Sequence, residues 1–479
     1  MRKRVVYKYV GFVMLFNAAF LFASAIVSIF YNDSSLFPLL YSGLIATMFG
    51  LFPLVFVPTT DTLSTNEGLS IVVSSWLLSC IVGMLPYILW GGEFSVSNAF
   101  FESVSGYTTT GSTILNDIES LPKGLLFWRA STHWMGGVGI IIFVLSVLPS
   151  MGIATTRLYR AEMSRQAFRQ FRMRAKEAVH IILYVYLGIT LLEIIALMFC
   201  GMSLFEAATH SFATVATGGF STRNLSIASF NSLSIEIVIM IFMIISGMNF
   251  ALLFSVIIGE IGNLRSSDVL KYYLAANFIA IILVAYNTTG IQYDSFWEAL
   301  RYSSFQILSV GTSTGFANAD SSIWPSFSHL IIIFFTLQCA CAGSTSGGIK
   351  IDRVLIMFKS ILRKLKQTVY PNAVFNVNID KTKLEEKKIE NTLIYISMYL
   401  MIVFISTVLL TAMNVDALTA FSGSAACMGN VGPGLGQVGS MSNYAALPDA
   451  GKWVLSSVML LGRLEIYGLL IFFLPKTWE

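Results

Sequence analysis

Four stretches of this chain end in a glycine and can be aligned on it without gaps. They read Glu102-Ser-Val-Ser-Gly-Tyr-Thr-Thr-Thr-Gly111, His210-Ser-Phe-Ala-Thr-Val-Ala-Thr-Gly-Gly219, Gln306-Ile-Leu-Ser-Val-Gly-Thr-Ser-Thr-Gly315 and Gly423-Ser-Ala-Ala-Cys-Met-Gly-Asn-Val-Gly432. Successive glycines are 108, 96 and 117 residues apart, and a near-regular period of this kind indicates a repeated structural unit. The prediction of the fold rests on these four stretches.

The sequence around them is strongly apolar. Of 479 residues, 55% are hydrophobic and 12% are charged, with a mean hydropathy of +0.73. Soluble globular proteins carry about 25% charged residues, about twice the fraction in this chain, so the composition indicates a membrane protein.

Ten apolar segments are long enough to cross a hydrocarbon core of about 30 Å. They are 9–30, 36–57, 69–90, 126–149, 179–201, 233–258, 270–288, 326–342, 392–413 and 452–474.

Four shorter segments, at 97–108, 203–216, 295–312 and 417–429, lie between spans and lead into the aligned glycines. Their length favours re-entrant helices. We therefore predict an all-α polytopic membrane protein with ten transmembrane helices: four pseudo-repeated span–pore-loop–span units around one pore, plus an N-terminal hairpin. The predicted divisions are a transmembrane hairpin at 1–60, pore repeats at 61–150, 151–260, 261–349 and 391–479, and a cytoplasmic linker at 350–390. Ser203-x-x-Glu206 and Ser295-x-x-Glu298 predict capping boxes at the outer ends of two short helices.

Basic residues are concentrated on one side of this topology. Segment 151–178 has seven basic residues against two acidic ones, and segment 350–390 has ten against five. The positive-inside rule places these segments and both termini in the cytoplasm. The net charge of +4 is too small and too dispersed to suggest a nucleic-acid partner. The five cysteines and four histidines lack the spacing of a metal site or a disulfide framework.

The aligned glycines suggest what the loops do. Non-helical backbone at membrane depth must be buried in protein or line a watery cavity. Four such loops can direct backbone carbonyls inward and replace the water shell of a cation. A single loop of this composition is better explained as an ordinary loop or a helix-packing site, but four aligned loops favour a pore. The predicted filter residues are Thr110, Gly111, Gly218, Gly219, Thr314, Gly315, Val431 and Gly432, among which there is no Asp or Glu.

Two further features predict a gate below this filter. Gly343-Ser-Thr-Ser-Gly-Gly348 follows a span and resembles a phosphate-binding loop, but Ile349 displaces the lysine and no strand precedes it. A flexible helix end is one explanation of this segment; our sharper hypothesis is a mobile intramembrane gate formed by Gly343, Ser344, Thr345, Ser346 and Gly347. Arg463 interrupts the last span, and it either pairs with Glu465 or another acid near the inner boundary or places a positive charge in the ion path. We interpret Arg129, His133 and Glu193 as structural pairing residues.

Two other functions fit an apolar chain of this length. A Na⁺- or H⁺-coupled secondary transporter with alternating access would place ionisable residues at the membrane midplane, whereas the aligned loops hold no acid. An enzyme acting on lipid-linked substrates would need paired acids, a Ser/His set or metal ligands near an interface. We find no convincing cluster of that kind, so we do not expect an enzyme.

The loops Thr108-Thr-Thr-Gly111-Ser-Thr, Val215-Ala-Thr-Gly-Gly219-Phe-Ser, Thr312-Ser-Thr-Gly315-Phe and Asn430-Val-Gly432-Pro-Gly-Leu-Gly436 resemble those of the Trk/Ktr/HKT potassium transporters. Ser344-Thr-Ser-Gly-Gly-Ile-Lys350 and Gly462-Arg-Leu-Glu465 also resemble segments of that family, and the resemblance covers nearly the whole chain. The N-terminal hairpin favours the bacterial branch that has it over the Ktr branch that lacks it.

The resemblance implies properties beyond the residues themselves. It implies K⁺ uptake across the bacterial inner membrane, with K⁺ as permeant ion and no other bound cofactor. It implies a homodimer with one pore per protomer, surrounded by membrane lipid, and a cytoplasmic nucleotide-binding regulator of the TrkA type. In the family, the loop matching 343–348 and the arginine matching Arg463 obstruct the pore below the filter.

Overall fold

The computed structural model describes residues 2–57, 64–146, 165–380 and 382–474. Within these residues the chain is mostly helical. The first half of the basic segment 151–178 lies outside the described residues, as do the predicted divisions near residues 60 and 150.

Helices follow one another in the same order four times, and we call each set a unit. The first helices of units 1 to 4 are Thr65–Gly83 with its continuation Leu85–Trp90, Arg165–Phe199, Asp268–Thr288 and Glu386–Ala412. The short helices, called half-helices 1 to 4, are Val96–Tyr107, Leu204–Val215, Phe296–Gly311 and Ala417–Gly429. The second helices are Lys123–Ser146, Leu233–Ser246, Ser326–Leu337 and Asp449–Arg463. The half-helices lie where the sequence predicts the four short segments.

The units are arranged in a circle. Half-helices 2, 3 and 4 each pack against the second helix of the preceding unit, and half-helix 1 packs against the second helix of unit 4. The last residues of the half-helices are buried on all sides; in half-helix 1, every residue from Phe101 to Tyr107 is buried. The half-helices therefore carry the chain into the interior of the protein and end there.

A side chain caps the N-terminal end of each half-helix, which is the end farther from the interior. Ser95, Ser203, Ser295 and Asp416 accept hydrogen bonds from backbone N–H groups of the first turns, at 3.1 to 3.3 Å. Ser203 and Ser295 are caps, as predicted, but the reciprocal half of each predicted capping box is wrong. In unit 2 the Glu206 carboxylate accepts from the Ser203 hydroxyl at 3.2 Å and pairs with Arg223. In unit 3 the N–H that bonds Ser295 is that of Trp297.

Six of the described helices are long and apolar enough to cross a membrane. They are Lys3–Tyr31, Leu36–Phe56, Asn66–Trp90, His180–Phe199, Asp268–Thr288 and Glu386–Ala412. Leu233–Ser246 and Phe250–Ile257 are bent by 103° and make a seventh if they are counted together. Ser326–Leu337 has 12 residues, about 18 Å of helix, so the apolar segment 326–342 is helical only in its first part. The remaining predicted spans stay predictions.

Shorter elements complete the described chain. The predicted linker 350–390 begins with a 19-residue helix, Ile351–Val369, and contains a small antiparallel pair of strands, Asn378–Ile379 and Thr382–Lys383. The other short helices are Ile261–Ser266 and Tyr467–Phe472, with 3₁₀ turns at Ser226–Phe230, Ser321–Ile323 and Gly436–Val438.

The N-terminal hairpin of Lys3–Tyr31 and Leu36–Phe56 is attached to unit 1 by Asp33 in its turn. One carboxylate oxygen of Asp33 accepts from the hydroxyls of Ser28 and Ser35, at 2.5 and 2.6 Å. The other accepts from the backbone N–H of Gly124, at 2.9 Å, near the start of Lys123–Ser146. Burial alone would raise the pKa of Asp33, but these hydrogen bonds lower that pKa below its ordinary value.

We expect Asp33→Ala to lower the free energy of unfolding by about 1–3 kcal/mol, because the Gly124 N–H loses its acceptor. Thermal unfolding in detergent at neutral pH measures the change. The exposed Asp294 provides the control Asp294→Ala. Since the folded-state pKa of Asp33 is lowered, its contribution is present at neutral pH and disappears as the pH falls through that pKa. Equal melting temperatures for Asp33→Ala and the parent protein at neutral pH would contradict this role.

Candidate functional site

The half-helices end in four turns with the same backbone conformation; we call residues 108–113, 216–221, 312–317 and 429–434 turns 1 to 4. In each turn the aligned glycine and the residue two positions before it have positive φ. The glycines Gly111, Gly219, Gly315 and Gly432 have φ of 79° to 98°, and the earlier residues Thr109, Thr217, Ser313 and Asn430 have φ of 51° to 57°. The second set matters because residues with a Cβ rarely adopt positive φ. The same uncommon geometry is thus present four times.

A shared hydrogen bond accompanies this geometry. The residue before each glycine donates its N–H to the carbonyl five residues earlier, as in a Schellman helix end. The four bonds are Thr110 to Ser105, Gly218 to Ala213, Thr314 to Ser309 and Val431 to Ala426, at 2.7 to 2.9 Å. Each bond uses the N–H of the residue before the glycine. Within the described part of the chain, no hydrogen bond reaches the carbonyl oxygens of those same four residues.

The four turns touch one another in a closed ring. A Cβ atom placed on any of the four glycines would overlap the carbonyl oxygen of the residue before the glycine in the next turn. The contacts run from Gly111 to Gly218, from Gly219 to Thr314, from Gly315 to Val431 and from Gly432 to Thr110. The structure therefore brings together the eight residues that the sequence singles out, two from each unit. We call this arrangement the carbonyl ring.

A cavity opens on one side of the carbonyl ring, which we call the outer side; residues 343–348 lie on the opposite, inner side. All four glycines line the cavity, together with Arg129, Arg223 and Tyr444. The Tyr444 hydroxyl donates to the Gly432 carbonyl at 2.7 Å. The Asn430 amide braces the inner side, where its nitrogen donates to the Thr110 hydroxyl and to the Met459 carbonyl, each at 3.0 Å. Asn430 in this way connects turn 4 with turn 1.

The inner side of the carbonyl ring is covered by residues 343–348, which we call the inner loop. Thr345 donates its hydroxyl proton to the Val215 carbonyl at the end of half-helix 2, at 2.9 Å. Ser313 in turn 3 donates to the Ser346 hydroxyl at 2.9 Å and accepts from the Gly347 N–H at 3.0 Å. The inner loop therefore lies directly against the ends of half-helices 2 and 3.

Arg463 binds the backbone of the inner loop and holds the loop in place. Its guanidinium donates to the Thr345 carbonyl at 2.6 Å and to the Gly136 carbonyl at 3.2 Å, and the residue is 2% exposed. Glu465 instead pairs with Arg353, at 2.5 Å. Of the two interpretations of Arg463, pairing with Glu465 is thus wrong. Together the inner loop and Arg463 reach all four units.

Lys350 is a residue of this region whose role the sequence does not reveal. It is buried, and its ammonium donates to the Ser346 carbonyl. Lys350 lies two residues after Gly348, the last glycine of the segment that resembles a phosphate-binding loop, and this position is the feature of the sequence that indicates it. In the fold it binds the backbone of the inner loop itself.

Arg129 and His133 each have structural hydrogen-bond or ion-pair partners, in agreement with their interpretation from sequence. Arg129 pairs with Glu102 at 2.6 Å, with both side chains buried. His133 contacts the Gly106 carbonyl through Nδ1 at 2.8 Å and accepts from the Phe220 N–H through Nε2 at 3.2 Å. Glu193 is buried as well, and within the described residues its carboxylate oxygens have no hydrogen-bond partner. Among the described residues no group of three or more His, Cys, Asp or Glu residues could hold a metal ion.

Known proteins are similar to this chain in sequence and in structure. The sequence profile of the TrkH family, described as a cation transport protein, matches residues 39–479. The Trk system potassium uptake protein TrkH of Salmonella typhimurium is 37% identical over 428 residues, which cover 87% of each chain. The TrkH protein of Vibrio parahaemolyticus is 33% identical over the full length of both chains.

A solved structure agrees with these matches. The crystal structure of the potassium transporter TrkH from Vibrio parahaemolyticus superposes with a TM-score of 0.91 at 30% identity, and all of each chain is covered. The carbonyl ring thus belongs to a chain whose entire fold has a solved counterpart. On the family profile, the full-length relatives and this structural match, the chain belongs to the TrkH family of cation transport proteins.

Proposed function

We propose that this chain is the pore-forming protein of a K⁺ uptake system and that K⁺ passes through the carbonyl ring down its electrochemical gradient. The relatives are named Trk system potassium uptake proteins, and the family is one of cation transport proteins, not of enzymes. The permeant ion is K⁺, with Rb⁺ as its close substitute, and it is cargo that binds only in transit.

The observation that carries this proposal is a set of four buried, unpaired carbonyl oxygens. They belong to Thr110, Gly218, Thr314 and Val431, and each lies against the glycine of the neighbouring turn. A buried polar group without a partner costs about 1–3 kcal/mol. A partly dehydrated cation at the centre of the ring supplies the missing partner for all four oxygens together, and the oxygens replace the water that the cation has lost.

The electrostatics of the ring favour a cation of modest charge density. The carboxyl ends of all four half-helices lie in the interior beside the ring, and the negative end of a helix dipole attracts cations. The residues of the ring are neutral, so inside the ring the ion meets dipoles and no fixed charge. Selection among alkali ions then depends on the spacing and field strength of the carbonyls.

The inner loop and Arg463 form the proposed gate. Gly343, Ser344, Thr345, Ser346 and Gly347 cover the ring on its inner side, and Arg463 holds the loop there through the Thr345 carbonyl. A buried guanidinium beside the ion path also repels a passing cation. Conduction therefore requires the loop and Arg463 to move away from half-helices 2 and 3.

Assembly and location extend the proposal. The relatives are components of a Trk system, and we place this chain in the bacterial inner membrane as a homodimer that binds a cytoplasmic nucleotide-binding regulator of the TrkA type. Helix Ile351–Val369 begins at the end of the inner loop and carries five basic residues against one acid. The positive-inside rule places it, and both termini, on the cytoplasmic side. A regulator bound there is close to the gate.

Rb⁺ uptake into liposomes tests the function directly. The purified protein is placed in K⁺-loaded liposomes, and radiolabelled Rb⁺ is added outside with either K⁺ or Na⁺ as competitor. We expect uptake driven by the outward K⁺ gradient that excess external K⁺ blocks and Na⁺ does not. Uptake that required a Na⁺ or H⁺ gradient would contradict the proposal and support coupled transport instead.

Substitution of one ring glycine separates the role of the ring from backbone strain. Gly219→Ala places a methyl group against the Thr314 carbonyl at φ +79°, so we expect Rb⁺ uptake to fall by at least about tenfold, the effect of roughly 1.4 kcal/mol. Gly290 has φ +75° with open space around its Cα. Gly290→Ala is thus the matched control, with the same strain and no clash, and its uptake should stay near the parent value. Unchanged uptake and K⁺ preference in Gly219→Ala would contradict the assignment of the ring.

Removal of the buried guanidinium should open the path. We expect Arg463→Ala to raise Rb⁺ uptake by roughly tenfold, since the inner loop loses its hydrogen bond and the ion no longer meets a positive charge. The exposed Arg265 provides the control Arg265→Ala, which should leave uptake unchanged. A melting curve in detergent verifies that the variant is folded. Folded Arg463→Ala protein with the parent rate or a lower one would exclude Arg463 from the gate.

A further inference from the structure

Three half-helices carry a buried polar side chain nine positions before the ring glycine. These residues are Glu102, His210 and Gln306, and they are 0%, 0% and 2% exposed. The fourth unit has Gly423 at this position. Polar groups buried among apolar neighbours need hydrogen-bond partners, so the partners of these three side chains indicate what the shared position does.

Each of the three side chains binds residues that follow the ring glycine of its own unit. Glu102 accepts from the Ile114 N–H and from the Thr113 hydroxyl, both at 3.0 Å. His210 Nε2 lies 2.9 Å from the Ser221 hydroxyl. The Gln306 amide donates to the Ala319 carbonyl at 2.8 Å. The shared position thus binds residues two to four positions beyond the ring glycine, through side-chain hydroxyls at Thr113 and Ser221 and through backbone groups at Ile114 and Ala319.

In the fourth unit, the polar side chain lies one position earlier, at Ser422. The Ser422 hydroxyl donates to the Leu418 carbonyl within its own half-helix at 2.7 Å and accepts from the Leu435 N–H at 2.9 Å. Leu435 lies three residues beyond Gly432. A polar anchor behind the turn is therefore a feature of every unit, although its chemistry differs from unit to unit.

Units 1 and 2 are also joined to each other. Arg129 donates through Nε to the Glu102 carboxylate at 2.6 Å and through a terminal nitrogen to the Ser221 carbonyl at 2.9 Å. Its guanidinium lies 3.4 Å from the centre of the Phe220 ring. One side chain thus connects the segment after Gly111 with the segment after Gly219. We call Glu102, Arg129, Ser221 and His210 the buried brace.

We propose that the buried brace sets the distance between turns 1 and 2 and thereby determines how strongly the carbonyl ring prefers K⁺ over Na⁺. This inference rests on the proposed function. The four residues are positioning residues: they act on Gly111 and Gly219 through the segments that follow these glycines.

The physical reason is the way in which neutral carbonyls select ions. With no fixed charge in the ring, preference depends on where the oxygens are held and how far they can follow a smaller ion. Thr113 and Ser221 are each two residues beyond a ring glycine. A fully buried, bridged ion pair is rigid, because displacing one partner leaves an uncompensated charge away from water.

Two variants test the brace. Arg129→Lys keeps the positive charge beside Glu102 but removes the planar fork that reaches both Glu102 and the Ser221 carbonyl. The double variant Glu102→Gln with Arg129→Gln removes both charges, so no unpaired charge stays buried and we expect the protein to fold. Rb⁺ and Na⁺ uptake are measured in the same liposomes, with melting curves for each protein. Glu298→Gln, at an exposed carboxylate of half-helix 3, is the control.

We expect the ratio of Rb⁺ to Na⁺ uptake to fall by about fivefold in both variants, the discrimination that one net hydrogen bond can supply, and to stay at the parent value in Glu298→Gln. A purely electrostatic role for Arg129 would let Arg129→Lys keep the parent ratio, which would overturn the proposal. The proposal would also be overturned if the double variant slowed Rb⁺ and Na⁺ uptake by the same factor and so left their ratio unchanged. If the parent protein itself takes up no Rb⁺, the proposed function fails, and this result is distinct from an unchanged ratio.

Discussion

Four buried carbonyl oxygens without hydrogen-bond partners are the constraint on which the rest of the site depends. A folded protein pairs nearly all of its buried backbone groups, and here the oxygens of Thr110, Gly218, Thr314 and Val431 meet at one ring with no donor among the described residues. To bring them together, the chain must end four helices in the interior, and the caps, the turns and the polar anchors all support those helix ends.

The two sides of the ring have different roles. On the outer side, the buried brace and Tyr444 bind residues at the ring glycines and just beyond them. On the inner side, the contacts come from a loop of small residues and two cationic side chains, Arg463 and Lys350, that bind its carbonyls. A buried ion pair thus supports turns 1 and 2, whereas hydrogen bonds from hydroxyls, Arg463 and Lys350 hold the inner loop, which is the proposed gate.

Much of this arrangement could be predicted from sequence, because a repeat is visible when its critical residue is always the same. The glycine is required in all four units, since any Cβ would meet the neighbouring carbonyl, and the half-helices follow from their length and caps. The anchors behind the turns were harder to predict. Glu, His and Gln occupy one aligned position in units 1 to 3, and Ser422 replaces them in unit 4, so a shared role is hidden by different chemistry. The Arg353–Glu465 pair joins residues 112 positions apart, and no local pattern indicates it.

Anomalous X-ray diffraction from crystals grown in Rb⁺ tests the central claim most directly, because it locates the ion itself. The proposed ion site predicts a peak at the centre of the carbonyl ring, equidistant from the oxygens of Thr110, Gly218, Thr314 and Val431, which disappears when Na⁺ replaces Rb⁺. Rb⁺ bound elsewhere in the membrane part of the protein, with no peak inside the ring, would contradict it.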